Sequence, residues 1–198
     1  SYVNHVAAGL KLPGKAILCP ISSLTRYVES HAKYKKYNCE ADIYVLEGQN
    51  LGYVTYVGSG APGMAMALEV LIALGVKEFV FIGLAGSLQE EVELADIVLA
   101  SEALCDDGTS PCYTNKETAK PSKTLFSKLS KQLEADGKNF HTGRNWTTDA
   151  IFRETKAEVK HYQKESVLTV EMETAAFYAI CAKRKAQGAA AFAVSDVL

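Results

Sequence analysis

The sequence predicts an α/β protein with a mixed, mostly parallel sheet. Three observations carry that prediction. Strand-like and helix-like runs largely alternate along the chain. Glu78-Phe79-Val80-Phe81-Ile82 and Ala189 to Val194 are continuous apolar runs, the mark of strands buried on both faces. Asp42 to Glu47 and Leu51 to Val57, joined across Gln49-Asn50, read as a hairpin and add antiparallel character.

The elements follow in order. Pro13-Gly14 turns into a first strand, Lys15 to Cys19. Ser22-Ser23 caps a helix expected from Leu24 to about Lys36. After the hairpin, the loop Gly58-Ser59-Gly60-Ala61-Pro62-Gly63 leads into a helix, Met64 to Leu74, which Gly75 ends as a C′ glycine. The strand Glu78 to Ile82 ends in a turn, Gly83 to Ser87, and Asp96 to Ala100 is a further strand. Cys105 to Ala119 is polar and irregular, a loop expected near the site. Ser122 to Asp136 is an amphipathic helix, Phe140 to Thr148 is extended, and Lys156 to Lys164 is helical. Val167 to Val170 is strand-like and passes through Glu171-Met172-Glu173 into a helix, Thr174 to Arg184. The last strand ends at Ser195-Asp196.

The bulk numbers narrow the function classes. The chain has 198 residues, 48% hydrophobic and 22% charged, and reads as one globular domain over 1–198. The formal net charge is −2, so no basic excess points to nucleic acid. No run reaches the about 18 apolar residues of a membrane-spanning helix. Ser1 to His5 shows no charged segment leading into an apolar one, so no signal peptide is visible. The five cysteines are scattered with no C-x-x-C pair, which predicts reduced thiols in a cytoplasmic protein.

Two stretches carry candidate chemistry. Gly58 to Gly63 matches G-x-G-x-x-G, but the acidic residue of a dinucleotide site is missing where Phe81-Ile82-Gly83 stands, and Pro62 stiffens the loop. What survives is a glycine loop whose backbone can approach a small ligand and donate to an anion. Glu171 and Glu173 sit at a strand-to-helix turn. In an extended segment residues two apart point the same way, so both carboxylates would face a ligand at a strand end. Acidic residues at a helix N-terminus favoured by its dipole are the alternative.

Taken together and in order, several segments resemble the nucleoside phosphorylase superfamily of purine nucleoside phosphorylases, uridine phosphorylases and related nucleosidases. They are Gly58 to Pro62, Ile82 to Ser87, Leu94 to Val98, Asp107 to Ser110, Thr147 to Arg153, Val170 to Glu173 and Val194 to Asp196. The resemblance runs from about Lys15 to the C-terminus. It implies a three-layer α/β/α phosphorylase-type fold and cleavage of a ribonucleoside N-glycosidic bond, purine favoured over uridine. It implies inorganic phosphate as co-substrate, no cofactor or metal, and a homo-oligomer from dimer to hexamer. Relatives carry a further helix beyond the position of Leu198.

The site residues follow from the resemblance. Glu173 would bind the ribose 2′ and 3′ hydroxyls, Met172 would pack on the sugar, and Glu171 would lie near the base or support the pocket. Asp196 would protonate or hydrogen-bond purine N7, a task that calls for a raised pKa in an apolar pocket. Its alternative is a helix cap. Phe152 and Arg153 fall where the family contacts the base, with core packing and a surface ion pair as their alternatives. His5 resembles the N-terminal histidine that reaches a neighbouring subunit's nucleoside.

The phosphate site departs from the family. Its Gly-Asp-Pro-x-Arg loop is replaced by Cys19-Pro20-Ile21-Ser22-Ser23-Leu24-Thr25-Arg26. Phe81 stands where a second Arg is expected, and Leu84 where a hydroxyl residue is expected. Arg26, Ser59 and the backbone of Gly58 to Gly60 remain as local donors, and a neighbouring subunit's Arg is a further source. Hydrolysis is the alternative, but no Glu lies between Pro13 and Tyr27 to activate water. A non-catalytic nucleoside-binding relative is the third reading.

Overall fold

The computed structural model describes residues 10–39, 41–56 and 58–198. Among these residues ten strands form one mixed sheet, so the α/β class stands. They are β1 (Lys15–Leu18), β2 (Tyr34–Asn38), β3 (Ala41–Leu46), β4 (Leu51–Tyr56) and β5 (Glu78–Ser87). Then come β6 (Ile97–Asp106), β7 (Thr118–Ala119), β8 (His141–Thr148), β9 (Val167–Glu171) and β10 (Gln187–Val197). Among the described residues five α-helices alternate with them: α1 (Ser22–His31), α2 (Gly60–Ala73), α3 (Lys123–Ala135), α4 (Lys156–Lys164) and α5 (Thr174–Lys183).

The sheet contains two parallel blocks. β4, β1, β5 and β10 run parallel, as do β6, β8 and β9. Antiparallel pairings β10–β6 and β5–β9 join the blocks. Because β10 pairs with both β5 and β6, the strands β5, β9, β8, β6 and β10 close into a ring. Closure removes strand edges on that side. The hairpin β3–β4 and the edge strand β2 extend the other side.

Several boundaries differ from the sequence reading, among them β6, which runs on past Ala100 to Asp106 because β8 pairs with it throughout. The first helix ends at His31, not near Lys36, because Tyr34 to Asn38 pair with β3 instead. Tyr34 meets Tyr44 edge-on at 5.0 Å, a cross-strand aromatic contact that rewards the extended form. β5 does not stop at Ile82 but runs to Ser87, since β9 and β10 both supply backbone partners to Gly86 and Ser87. α2 starts at Gly60, so the glycine loop forms the first helical turn, with Pro62 in the tolerated N-terminal position.

α2 and α5 pack on each other beside the sheet. α5 is buried nearly all round, through residues such as Phe177 and Ile180, while α2 buries Met64, Leu68 and Leu71 and exposes a stripe of Pro62, Met66 and Ala73. Phe81 of β5 fits between the rings of Phe177 and Phe192, with centroids 5.8 and 5.7 Å away. This aromatic core fixes the N-terminal ends of α2 and α5 against the carboxyl ends of β5, β9 and β10.

Candidate active site

Those ends meet at a cleft of about 600 Å³. Ser59 precedes α2; Leu84, Ala85 and Gly86 come from β5; Val170 to Glu173 from the end of β9; Ser195 and Asp196 from β10. Ile151, Phe152 and Glu154 close it from the turn after β8.

β10 reaches the cleft through a bulge. Val194 pairs with Ala85 and Asp196 with Gly86, leaving Ser195 as the extra residue. A bulge re-aims side chains. Here the Ser195 hydroxyl donates to Asp196 Oδ1 at 2.6 Å. A Cβ on Gly86 would lie 3.0 Å from Asp196 Oδ2, so the missing side chain makes room for the carboxylate.

The two glutamates have different jobs. Glu171 is buried and takes four donors. Asn145 Nδ2 and the Thr147 hydroxyl donate to Oε1 at 2.6 and 2.7 Å; the N–H groups of Glu173 and Thr174 donate to Oε2 at 2.8 and 2.9 Å. Thr147 in turn accepts from the Ala175 N–H at 3.0 Å, so β8, β9 and α5 are tied together. Burial pushes the Glu171 carboxyl up, and the four donors pull against it. Its two oxygens thus serve as acceptors for donors from three elements.

Glu173 caps α5 and takes the N–H of Gly60 on Oε1 at 2.5 Å. Its carboxylate therefore sits on the N-terminus of α2, where the helix dipole favours an anion. Gly60 adopts φ +80°, a left-handed conformation that suits glycine. Burial first, and the charge on Glu171 second, push the Glu173 carboxyl up to about 7. It is poised to exchange its proton near neutral pH.

The comparisons with known proteins bear on this arrangement. Residues 21–198 match the model of the phosphorylase superfamily. The chain belongs to the phosphorylase superfamily. It is 32% identical over 182 residues to the guanosine phosphorylase of Halorubrum lacusprofundi, covering 91% of this chain and 71% of that protein. It is 29% identical over 204 residues to a DeoD-type purine nucleoside phosphorylase of a Thermoanaerobacter species, covering 98% of this chain and 84% of that protein. Among solved structures it superposes on AMP nucleosidase from Bacteroides thetaiotaomicron with a TM-score of 0.87 at 20% identity, covering 98% of this chain and 86% of that one. A P. knowlesi homologue of P. falciparum PNP gives a TM-score of 0.82 at 22% identity, covering 94% and 79%. These two similarities show the phosphorylase fold.

The residues expected from the superfamily divide into two groups. Ser59, Phe152, Glu171, Met172, Glu173 and Asp196 line one cleft, and Gly60 is tied to it through Glu173. Gly58 lies at the loop's start, with φ +107°, and is not a cleft wall. Arg26 is on α1 and lines a separate groove with Pro20, Thr25, Glu29 and Lys36. Arg153 is exposed in the turn after β8 and does not line the cleft. His5 lies outside the described residues.

Several expectations are corrected. No lysine or arginine lines the cleft among the described residues. Phe81, at the expected Arg position, belongs to the aromatic core. The Gly60 N–H, expected to meet an anionic ligand, is given to Glu173. Asp196 is exposed at the cleft wall and not enclosed by apolar groups. The segment after Cys105 does not line the cleft; Asp107 instead braces its own turn, accepting from the Thr109 and Ser110 N–H groups at 2.8 and 2.7 Å. Among the described residues no cluster of three or more His, Cys, Asp or Glu is arranged to hold a metal.

Glu154 is a cleft residue that the sequence reading missed. The 3₁₀ turn Ile151–Arg153 sends Arg153 outward and brings Glu154 in. Burial, then the carboxylates of Asp196 and Glu158, push its carboxyl up. No spacing signal marks it, because its direction depends on the turn.

Proposed function

We propose that this chain is a pentosyltransferase that cleaves a purine ribonucleoside with inorganic phosphate. One observation carries the reading: Glu173, Met172 and Asp196, the residues the superfamily pattern assigns to sugar and base, line a single cleft. The purine and guanosine phosphorylases among its relatives favour purines. Glu173 accepts from the two ribose hydroxyls, which orients the sugar; a carboxylate has enough lone pairs for both and for Gly60. Charge on Glu173 and Glu171 stabilises the ribosyl cation as the bond breaks. Asp196, oriented by Ser195, holds or delivers the proton at N7 of the departing base. Phe152, 95% exposed at the cleft mouth, is free to stack on the base. Glu171 acts through Glu173 and the start of α5 and is a positioning residue.

The missing cation in the cleft favours a second reading, hydrolysis, since a phosphate dianion needs charge-assisted donors. Under the first reading, a neighbouring copy in a homo-oligomer supplies them. The exposed apolar residues Leu84, Ile151, Phe152, Val197 and Leu198 around the cleft support such packing. The deciding experiment follows free base from inosine, guanosine, adenosine and uridine with and without phosphate. Release that requires phosphate is expected. Release at the same rate without phosphate overturns phosphorolysis. Calorimetric binding with no release would mark a binding protein.

A further inference from the structure

A second pocket, about 240 Å³ and partly open to solvent, lies on the flank of α5 away from the cleft. It is bounded by the C-terminal half of α5 and by the segment from Tyr113 to Lys120. Tyr178, Ala179 and Ala182 give it an apolar wall, and Lys116, Lys120 and Lys183 stand around it. Glu117, beside Lys116, is exposed and offsets one of the three lysines, and the other nearby carboxylates are engaged. Glu69 takes two donors from Arg184 at 2.9 and 2.8 Å. Glu102 faces Lys120 at 3.6 Å and Arg144 at 3.7 Å. Among the described residues, Lys116 and Lys183 have no carboxylate within ion-pair distance.

The pocket thus combines an excess of ammonium groups, Lys116 and Lys183 standing outside any ion pair, with an apolar wall. Ammonium groups bind phosphoryl oxygens as point charges, and the wall favours a body that leaves water. Its volume is below the roughly 300 to 1,000 Å³ of pockets for drug-sized ligands, which sets a small size limit. We propose that this pocket binds a small organic phosphate, one phosphoryl group on a short apolar or aromatic body. It is distinct from the cleft: Glu173 begins α5 and Lys183 ends it, about 15 Å along the axis at 1.5 Å per residue.

Phenyl phosphate is a suitable probe, titrated calorimetrically at low salt into three proteins. Wild type should bind it saturably, and more tightly than inorganic phosphate. Lys116→Ala/Lys183→Ala should bind at least about tenfold more weakly, since both free charges are gone. Both lysines are exposed, so this variant should melt like wild type. Glu173→Ala, altered only in the cleft, should bind like wild type. The proposal is overturned by absent saturable binding or by equal affinity for inorganic phosphate. It is equally overturned by unchanged binding in the double lysine variant, or by binding lost in Glu173→Ala, which would place the probe in the cleft.

Discussion

Glu173 should make nucleoside binding weaken on the acid side of neutrality. Its carboxyl is pushed up to about 7 by burial and by the Glu171 charge beside it. Only the ionised form can accept from both ribose hydroxyls. With a midpoint near 7, the ionised fraction falls from about nine-tenths at pH 8 to about one-tenth at pH 6. The dissociation constant for a nucleoside whose base does not titrate in that range should therefore rise about tenfold. Calorimetry without phosphate isolates the effect, because phosphate titrates in the same window. Glu171→Gln removes the neighbouring charge and leaves burial in place. The midpoint should move down, and the ratio between pH 6 and pH 8 should shrink to less than about threefold. That variant also loses acceptors, so the ratio and not the absolute affinity is the readout. Equal affinity at pH 6 and pH 8 in wild type, or an unmoved midpoint in Glu171→Gln, would refute the electrostatic account of the pair.

Other outcomes follow from the same geometry. Glu171→Ala strands four donors that now have an acceptor. At about 1–3 kcal/mol per unsatisfied group, counted with less than full additivity, it should cost about 3–5 kcal/mol in denaturant unfolding. Gly86→Ala crowds Asp196 Oδ2 at 3.0 Å and Val170 Cγ1 at 3.4 Å. Turnover should drop about tenfold or more through misplacement of the carboxylate, with a melting shift of only a few degrees. Asp196→Asn should lower purine turnover about a hundredfold and uridine turnover much less; equal losses would remove its role at N7. Stability should also respond to pH. Folded Glu173 keeps a proton that the unfolded chain, titrating at its ordinary 4.5, has released. The folded state is therefore favoured at low pH, and this contribution is lost as pH rises from about 4.5 to about 7. Glu173→Gln should flatten that part of a melting-temperature profile.

Much of the fold was legible because its signals are local. β1, β3 and β4 follow from short apolar runs with turn residues between them, and α5 from a helical run after Glu173. The failures were positions where long-range pairing overrode a local cue. Tyr34 to Lys36 were read as the end of the first helix, yet β3 offered backbone partners and Tyr44 an aromatic contact. Gly83 and Gly86 looked like a turn, yet β9 and β10 hold them in a strand. Glu171, Met172, Glu173 and Asp196, singled out by their motifs, do line one cleft. No motif marked Glu154, and Arg26, chosen as the remnant of the family's Gly-Asp-Pro-x-Arg loop, is carried by α1 into another groove.

By itself the sequence determined the α/β class, the superfamily, and the two acidic segments at strand ends, because periodicity and ordered motifs are written residue by residue. The tertiary structure decided which carboxylate does what. Glu171 and Glu173 are two residues apart and chemically alike. One meets the side chains of β8 and the start of α5; the other meets the N-terminus of α2. The start of α5 is local, but the β8 side chains and the α2 N-terminus lie 24 to 113 residues away along the chain, and only the folded packing brings them to the two glutamates and separates their proton affinities.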